Sequence, residues 1–446
     1  MNALERQIVQ LRRRNEEIAN HGIDAVEALE RSLTPSLLQS IQDELRGGLL
    51  CVENRLRASE VRAHHWRTIQ GRRFRRIPDL ARRRSNRRDL VRLRDAQLRI
   101  QRNIFKQLGD ACAWIVLRKN PRMIRMLYSE NKSHHLTTDG IGLVGQIALV
   151  ESAHSTGEFL VIENDLTRSL GVGDITVVRN GQPVLRPLSI ELKTAGEFRE
   201  GAEVEVQGYV ADSEIPADAK LLCDFSESMG LHVVEASEVP KKAFKQVEEL
   251  RERAELILKS GSGGDPLREP RESLWPALEN VCLHALVHGT AFDQPHAGVV
   301  FAALRTVDSD DFERSEARVA AEIEALQLLP SRGKLFSMST SALSDQDDLA
   351  PYVCPIPLWP VNGHVRSALL TRSVRMVCLA DPDVWRNALI KENVEVQVEG
   401  GFWYFQRGEH KGAFDPLEVS RLKLSLPFGG VSPTDAAKVI REKLEY

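Results

Sequence analysis

Three charged side chains interrupt two strand-like, largely apolar runs. Asp174 opens Asp174-Ile175-Thr176-Val177-Val178, and Glu191 and Lys193 close Leu188-Ser189-Ile190-Glu191-Leu192-Lys193. Side chains alternate along a strand, so Glu191 and Lys193 share one face while Leu192 takes the other. Asn180-Gly181, a favoured tight-turn dipeptide, predicts a hairpin between the runs that brings Asp174 to the same edge. Two carboxylates and an ammonium converging on one point suit metal-dependent phosphodiester hydrolysis. Mg²⁺ (or Mn²⁺) takes one or two carboxylates and keeps several waters. Such a metal polarises the phosphate and acidifies a water, and a lysine stabilises charge or orients that water. A competing explanation is plain: Asp followed by Glu-x-Lys arises by chance, and a Glu/Lys pair on a strand can be a solvated face.

The elements that must position this group are readable on both sides. Residues 141–153 have the character of a helix, ended by Gly157, and Glu158-Phe159-Leu160-Val161-Ile162 reads as a first strand. Asp174 precedes the predicted turn by about six residues and Glu191 follows it by about ten, a stagger of some 13 Å for a simple hairpin. A longer loop or bulge is therefore expected over 182–187, where Pro183 and Pro187 oppose an uninterrupted ladder. With that slack the carboxylates are expected roughly 4–7 Å apart, close enough for one shared metal. Lys220-Leu221-Leu222-Cys223 and Leu231-His232-Val233-Val234 read as shorter strands, and 241–259 as a charged amphipathic helix.

In this order of helix, strand, Asp-strand, hairpin and Glu191-Leu192-Lys193 strand, the chain resembles the PD-(D/E)XK, or restriction-endonuclease-like, nuclease superfamily. The motif covers 158–194 and the wider resemblance roughly 100–259. The resemblance implies a central mixed sheet flanked by helices, Mg²⁺ dependence and cleavage of nucleic acid, usually DNA. Carried over, Asp174 and Glu191 would hold the metal and Lys193 would assist the attacking water. Gly173 stands where the family name has Pro. Some members add an acid from the preceding helix, for which Glu151 is the candidate and Asp165 a weaker one. A few add a Gln from a following helix; Gln207 would be that residue, although no helix is evident there. The superfamily also contains inactive structural members.

The first hundred residues read as helical, with Leu4, Ile8, Leu11 and Ile18 at helical spacing, a break at His21-Gly22 and a weakening at Gly47-Gly48. Between Arg62 and Lys106 stand sixteen Lys/Arg against three Asp, although the whole chain carries a net charge of only −3. Arg72, Arg73, Arg75, Arg76, Arg82, Arg83 and Arg84 form the densest block, with Trp66 and Phe74 interleaved. Such a block binds phosphates without regard to sequence; a solvated helix face or an intramolecular contact is the alternative.

Ser260-Gly261-Ser262-Gly263-Gly264 reads as a linker, and the region beyond it as mixed α/β. Strands are expected at 299–304, 374–379 and 394–398, a helix at 313–329, and another at 433–444 capped by Ser432. His284 and His288 sit four apart with Glu279 upstream, but without His-Glu-x-x-His or a third ligand they read as a packed pair. No Gly-Lys-Ser/Thr P-loop and no Gly-x-Ser-x-Gly elbow occurs, so ATP hydrolysis and that type of serine catalysis are not expected. The six Cys are scattered without Cys-x-x-Cys, which fits a reducing compartment. No secretory leader or membrane span is evident, and a cytoplasmic location is expected.

The expected fold class is multidomain α/β. It comprises a helical, arginine-rich arm over 1–99, a nuclease-like domain over 100–259, and an α/β accessory domain over 260–446. The expected function is an Mg²⁺-dependent nuclease acting on nucleic acid, DNA first. Bacterial antiviral defence or DNA processing is the expected setting, with a separate ATPase or helicase as partner and homo-oligomerisation through the N-terminal helices. The alternative is an inactive, nuclease-like binding or scaffold protein.

Overall fold

A computed structural model describes residues 3–70, 78–120, 123–124, 127–128, 141–171, 173–182, 188–195, 205–210, 216–229, 232–233, 273–306, 336–340, 353–399, 402–407, 410–412 and 432–444. The fold is of mixed helix and sheet, and the chain divides into two compact units. One comprises residues 1–118 and 127–250, the other 119–126 and 251–446. The boundary expected at 99/100 therefore falls inside the first unit: the N-terminal helices belong with the first sheet and are not a separate arm. The second boundary, expected at 259/260, falls near 250.

In the first unit, helix α1 (Ala3–Arg31) buries Ile8, Leu11, Asn15, Ala19, Ile23, Val26 and Leu29, which recur every three or four residues. Thr34 accepts the Leu37 N–H at 3.4 Å, and Pro35 opens α2 (Pro35–Gln70). Helix α3 runs Pro78–Val116. Ser59 donates to Asp95 at 2.7 Å and Arg102 meets Glu53 at 3.6 Å, so α2 and α3 are antiparallel. The break expected at His21-Gly22 is absent, and α1 runs through it as α2 runs through Gly47-Gly48, where a weakening is expected. These glycines serve close approach. A Cβ on Gly22 would lie 2.3 Å from Leu108, and one on Gly48 would lie 2.3 Å from the Phe105 ring.

Helix α4 (Ile141–Ser155) leads into β1 (Phe159–Glu163), a one-turn 3₁₀ helix (Asn164–Leu166), β2 (Ile175–Arg179), β3 (Leu188–Ala195) and β4 (Glu205–Val210). Helix α5 (Pro216–Met229) then crosses to β5 (His232–Val233). The sheet order is β1-β2-β3-β4-β5, antiparallel except for the parallel β4–β5 pair. The short strand expected at 220–223 is the middle of α5, where Phe225 packs edge-on against Phe159 with ring centroids 5.1 Å apart. Phe159, Val161, Ile175, Val177, Leu188 and Ile190 share one sheet face, and Leu149, Val150 and Ala153 of α4 pack on it.

The second unit has α6 (Trp275–His288), β6 (Thr290–His296), β7 (Val299–Arg305), β8 (Phe336–Ser339), α7 (Gly363–Leu370) and β9 (Val374–Ala380). Then follow α8 (Pro382–Lys391), β10 (Glu395–Glu399), β11 (Phe402–Arg407), β12 (His410–Gly412) and α9 (Pro433–Leu444). Among the described residues these form an antiparallel sheet β6-β7-β9-β8 and a smaller one, β10-β11-β12. Ser432 caps α9 by accepting the Asp435 N–H at 3.2 Å. The linker at 260–264 and the helices expected at 241–259 and 313–329 lie outside the described residues. Among the described residues no helix is long and apolar enough to cross a membrane.

Candidate functional site

The ladder between β2 and β3 runs Val177↔Leu188, Thr176↔Ser189, Ile175↔Ile190. Asp174 stands one residue before β2, and Glu191 one residue past Ile190 on β3. The Asp174 N–H donates at 2.8 Å to the Ile190 carbonyl, so Asp174 shares Ile190 with Ile175 in a local irregularity and lies one residue from Glu191. The four-residue stagger of a tight hairpin at Asn180-Gly181 is therefore absent. Asn180 and Gly181 only begin the connection, and β3 resumes at Leu188. Asn180 is instead tied to the turn before β1, its side chain donating to the Gly157 carbonyl at 3.0 Å. Pro183 and Pro187, with the loop or bulge expected over 182–187, fall in a stretch of which 183–187 lie outside the described residues.

Lys193 lies two positions along β3 from Glu191, and the register to β4 pairs Glu191 with Tyr209 and Lys193 with Gln207. Gln207 therefore stands on a strand, at a position level with Lys193. Glu151 is exposed on α4. Its helix covers the sheet face of Ile175 and Ile190. Asp165 is nearer, beside Asn164. Of the arginine block, Arg72, Arg73, Arg75 and Arg76 lie outside the described residues, and Arg82, Arg83 and Arg84 are backbone positions in the first turns of α3. His284 and His288 stack with centroids 5.3 Å apart, while Glu279 accepts the Asn362 N–H at 2.9 Å, a structural role. Among the described residues, the side chain of Glu191 not being one of them, no three His, Cys, Asp or Glu form a metal-holding group.

Asp174 is half-buried at the end of a tightly held path. Gly173 precedes it at φ +67°, which proline, fixed near −65°, cannot adopt. A Cβ there would also lie 2.6 Å from the Ser189 hydroxyl and 2.8 Å from the Ile190 carbonyl. The departure from Pro at this position follows from that geometry. Asn164 fastens the other side: its N–H donates to the Asp174 carbonyl at 3.0 Å and its side-chain amide to the Gly173 carbonyl at 3.2 Å. Thr176 completes the set by donating to the Asn164 side chain at 2.8 Å.

Helix α3 clamps the segment between β1 and Asp174. Asp110, fully buried, accepts the N–H groups of Arg168 and Ser169, both at 2.8 Å, and the Arg168 guanidinium at 2.9 Å. Lys106, 2% exposed, donates to the carbonyls of Asp165 and Thr167. Between them Gly109 lets the backbone of Leu166 approach so closely that a Cβ would lie 2.1 Å from its carbonyl oxygen.

Helix α2 closes the free edge of β1. Gln42 donates to the Val161 carbonyl at 2.9 Å and accepts the Glu163 N–H at 2.8 Å. His154 of α4 accepts the Val161 N–H at 3.0 Å, and burial pushes its pKa down to about 4. Arg46 grips Glu163 through two nitrogens, one at 3.0 Å. Burial lifts the Glu163 carboxyl above its usual range, against the pull of Arg46. Gln42, Arg46, Lys106 and Asp110 belong to no motif that sequence reasoning marks. Their signal is nonetheless present: each is a polar residue set among the apolar positions of a long helix.

Compared with known proteins, the chain matches no family model, and no curated protein or solved structure is significantly similar to it.

Proposed function

We propose that the chain is a metal-dependent nuclease of the restriction-endonuclease-like type, acting on DNA. The observation that supports this reading is the Asp174 N–H bond to the Ile190 carbonyl, which brings Asp174 to within one residue of Glu191, with Lys193 two positions further along β3. The mixed five-stranded sheet with α4 before it and α5 as its crossover adds support. Two carboxylate-bearing positions brought close at the ends of neighbouring strands fit the hard-oxygen needs of Mg²⁺. Asp174 and Glu191 would hold the ion, which when bound supplies a polarised phosphate and an acidified water. Lys193 offers a fixed positive charge for the phosphate oxygens as negative charge builds there. The clamp of Asn164, Lys106 and Asp110 keeps Asp174 from drifting, which matters because misplacing a catalytic group by about 1 Å can cost roughly 10²-fold in rate.

The test is cleavage of supercoiled plasmid by the purified chain. Nicking or linearisation in Mg²⁺ that disappears in EDTA is expected. Glu191→Ala and Lys193→Ala, soluble and folded, should lose it. Wild-type rates in those variants would overturn the reading, and a wild-type chain that binds DNA but never cuts it would favour the inactive, nuclease-like binding protein.

A further inference from the structure

The arginine block has a place in the fold that the proposed hydrolysis does not use. Helices α2 and α3 are joined near Ser59 and Asp95, and beyond that point both continue, to Gln70 and back from Pro78. On the described ends of the two helices, from Arg62 to Gln70 and from Pro78 to Arg92, the sequence has eight arginines and, as its acids, only Asp79 and Asp89. Arg62, Arg88 and Arg92 are exposed, and Asp89 approaches Arg92 at 3.8 Å. These two acids leave a large excess of positive charge along the ends of the two helices.

Helix α3 also connects this end to the candidate site. Lys106 and Asp110 hold the segment leading to Asp174, and Arg82 to Arg88 lie on the same continuous helix. At about 1.5 Å rise per residue the two regions are roughly 27–42 Å apart along the helix axis. At about 3.4 Å per base pair this corresponds to some 8–12 base pairs, close to one turn of duplex.

We infer that the arginine-rich end of the α2–α3 hairpin is a second contact for double-stranded DNA, set about one duplex turn from the Asp174/Glu191 strands. The inference rests on the proposed nuclease reading for its partner and adds a length requirement. A duplex shorter than about 8 base pairs can engage one of the two regions, and a longer one engages both. A stiff duplex suits a stiff helical spacer. A single strand, being flexible, bridges the gap at no fixed length.

The experiment is fluorescence anisotropy in EDTA with labelled duplexes of 6, 10, 14, 20 and 30 base pairs and single strands of equal length. For the wild-type chain, affinity is expected to rise at least about tenfold between 6 and 14 base pairs and little afterwards, beyond the gain from added sites. In a chain carrying Arg82→Gln, Arg83→Gln, Arg84→Gln and Arg88→Gln that step should vanish while the 6-base-pair affinity stays. The slope of log affinity against log salt on long duplex should fall by about 0.9 for each phosphate that the variant no longer neutralises. Should that variant not fold, Arg62→Gln with Arg88→Gln and Arg92→Gln, all at exposed positions, should show a smaller reduction of the same step. Unchanged length dependence in a folded variant, equal loss on the shortest duplex, an equal step for single strands, or no duplex binding would each overturn the inference. Because no metal is present, binding is read apart from cleavage. A chain that shows the step but never nicks plasmid keeps the second contact and loses the hydrolase, and the reverse result does the opposite.

Discussion

Both units contain a sheet of apolar, buried strands with an aspartate at a strand end, and the two aspartates are differently employed. In the second unit β7 and β9 are buried almost throughout, and Asp381 follows β9 directly. Its side chain accepts the Asp383 N–H at 2.9 Å and caps α8, while its own N–H donates to the Gly298 carbonyl at 2.8 Å. In the first unit Asp174 precedes a strand, so no helix start follows for it to cap, and its N–H bonds the residue just before a second acid, Glu191, on the neighbouring strand. The lesson is about neighbours. An acid at a strand end becomes a candidate for chemistry when the next strand over supplies another acid, and a structural cap when the next element is a helix.

The largest effect expected from breaking this contrast is on rate. Replacing Asp174 or Glu191 by Ala should lower Mg²⁺-dependent nicking by about 10²-fold or more, because it removes charge that holds the metal. The melting temperature should stay within a few degrees. Asp381→Ala should leave the nicking rate unchanged. Equal activity in all three proteins would erase the distinction between the aspartates.

The next effect is on stability. Asp110→Ala strips a fully buried carboxylate from the Arg168 guanidinium and from two N–H groups. An uncompensated buried charge costs about 3–5 kcal/mol, so a matching fall should appear in the free energy of urea unfolding. A loss below about 1 kcal/mol would mean that Arg168 finds water, and that the clamp on the path to Asp174 is weak.

Which parts of this can be read from sequence follows from what each signal depends on. β1, β2, β3, β7, β9 and β10 are legible because apolar β-branched runs bounded by turn residues report a local preference. The segment 220–223 misleads because Leu-Leu-Cys fits a buried helix face as well as a strand; only its packing under β1 decides. Gly22 and Gly48 carry the signature of helix breakers, yet the chain uses them where Leu108 and Phe105 press in, a fact about a helix some eighty or sixty residues away. The candidate triad is visible as residue types, and its alignment is not. The register depends on how 182–187 spans the gap, and no local propensity specifies that. The clamp residues are hidden for the same reason: Lys106 and Asp110 look like ordinary helix polar residues until the loop they hold is known.

A moderate effect concerns pH. His154 must be neutral to accept the Val161 N–H, and its pKa in the folded chain is lowered from 6.5 to about 4. The unfolded chain therefore binds more protons than the native one between those values, and stability rises with pH across that window. On acidification its contribution is complete above about pH 6.5 and declines toward pH 4, by at most about 3 kcal/mol. Urea midpoints at pH 7.5 and 5.0 measure this directly. His154→Gln, which cannot titrate, should show a shallower fall than wild type, and an identical fall would assign the acid sensitivity to carboxylates elsewhere.

The smallest effect sharpens the contrast from its other side. If Asp381 is a helix cap and nothing more, the shape of its oxygen matters and its charge does not. Ser and Asn present a similar acceptor to the N–H two residues on, so Asp381→Asn and Asp381→Ser should unfold within about 0.5 kcal/mol of wild type, whereas Ala should cost about 0.5–2 kcal/mol. The same series at position 174 should split differently. Asn retains size and hydrogen bonding but gives up the charge a hard cation needs, so Asp174→Asn should be as stable as wild type and as inactive as Asp174→Ala. Two aspartates at strand ends would then respond to one conservative change in opposite ways, stability tolerating it at 381 and catalysis refusing it at 174. If Asp174→Asn keeps full nicking activity, position 174 is a structural acceptor like Asp381, and the metal-holding role must be sought elsewhere in the chain.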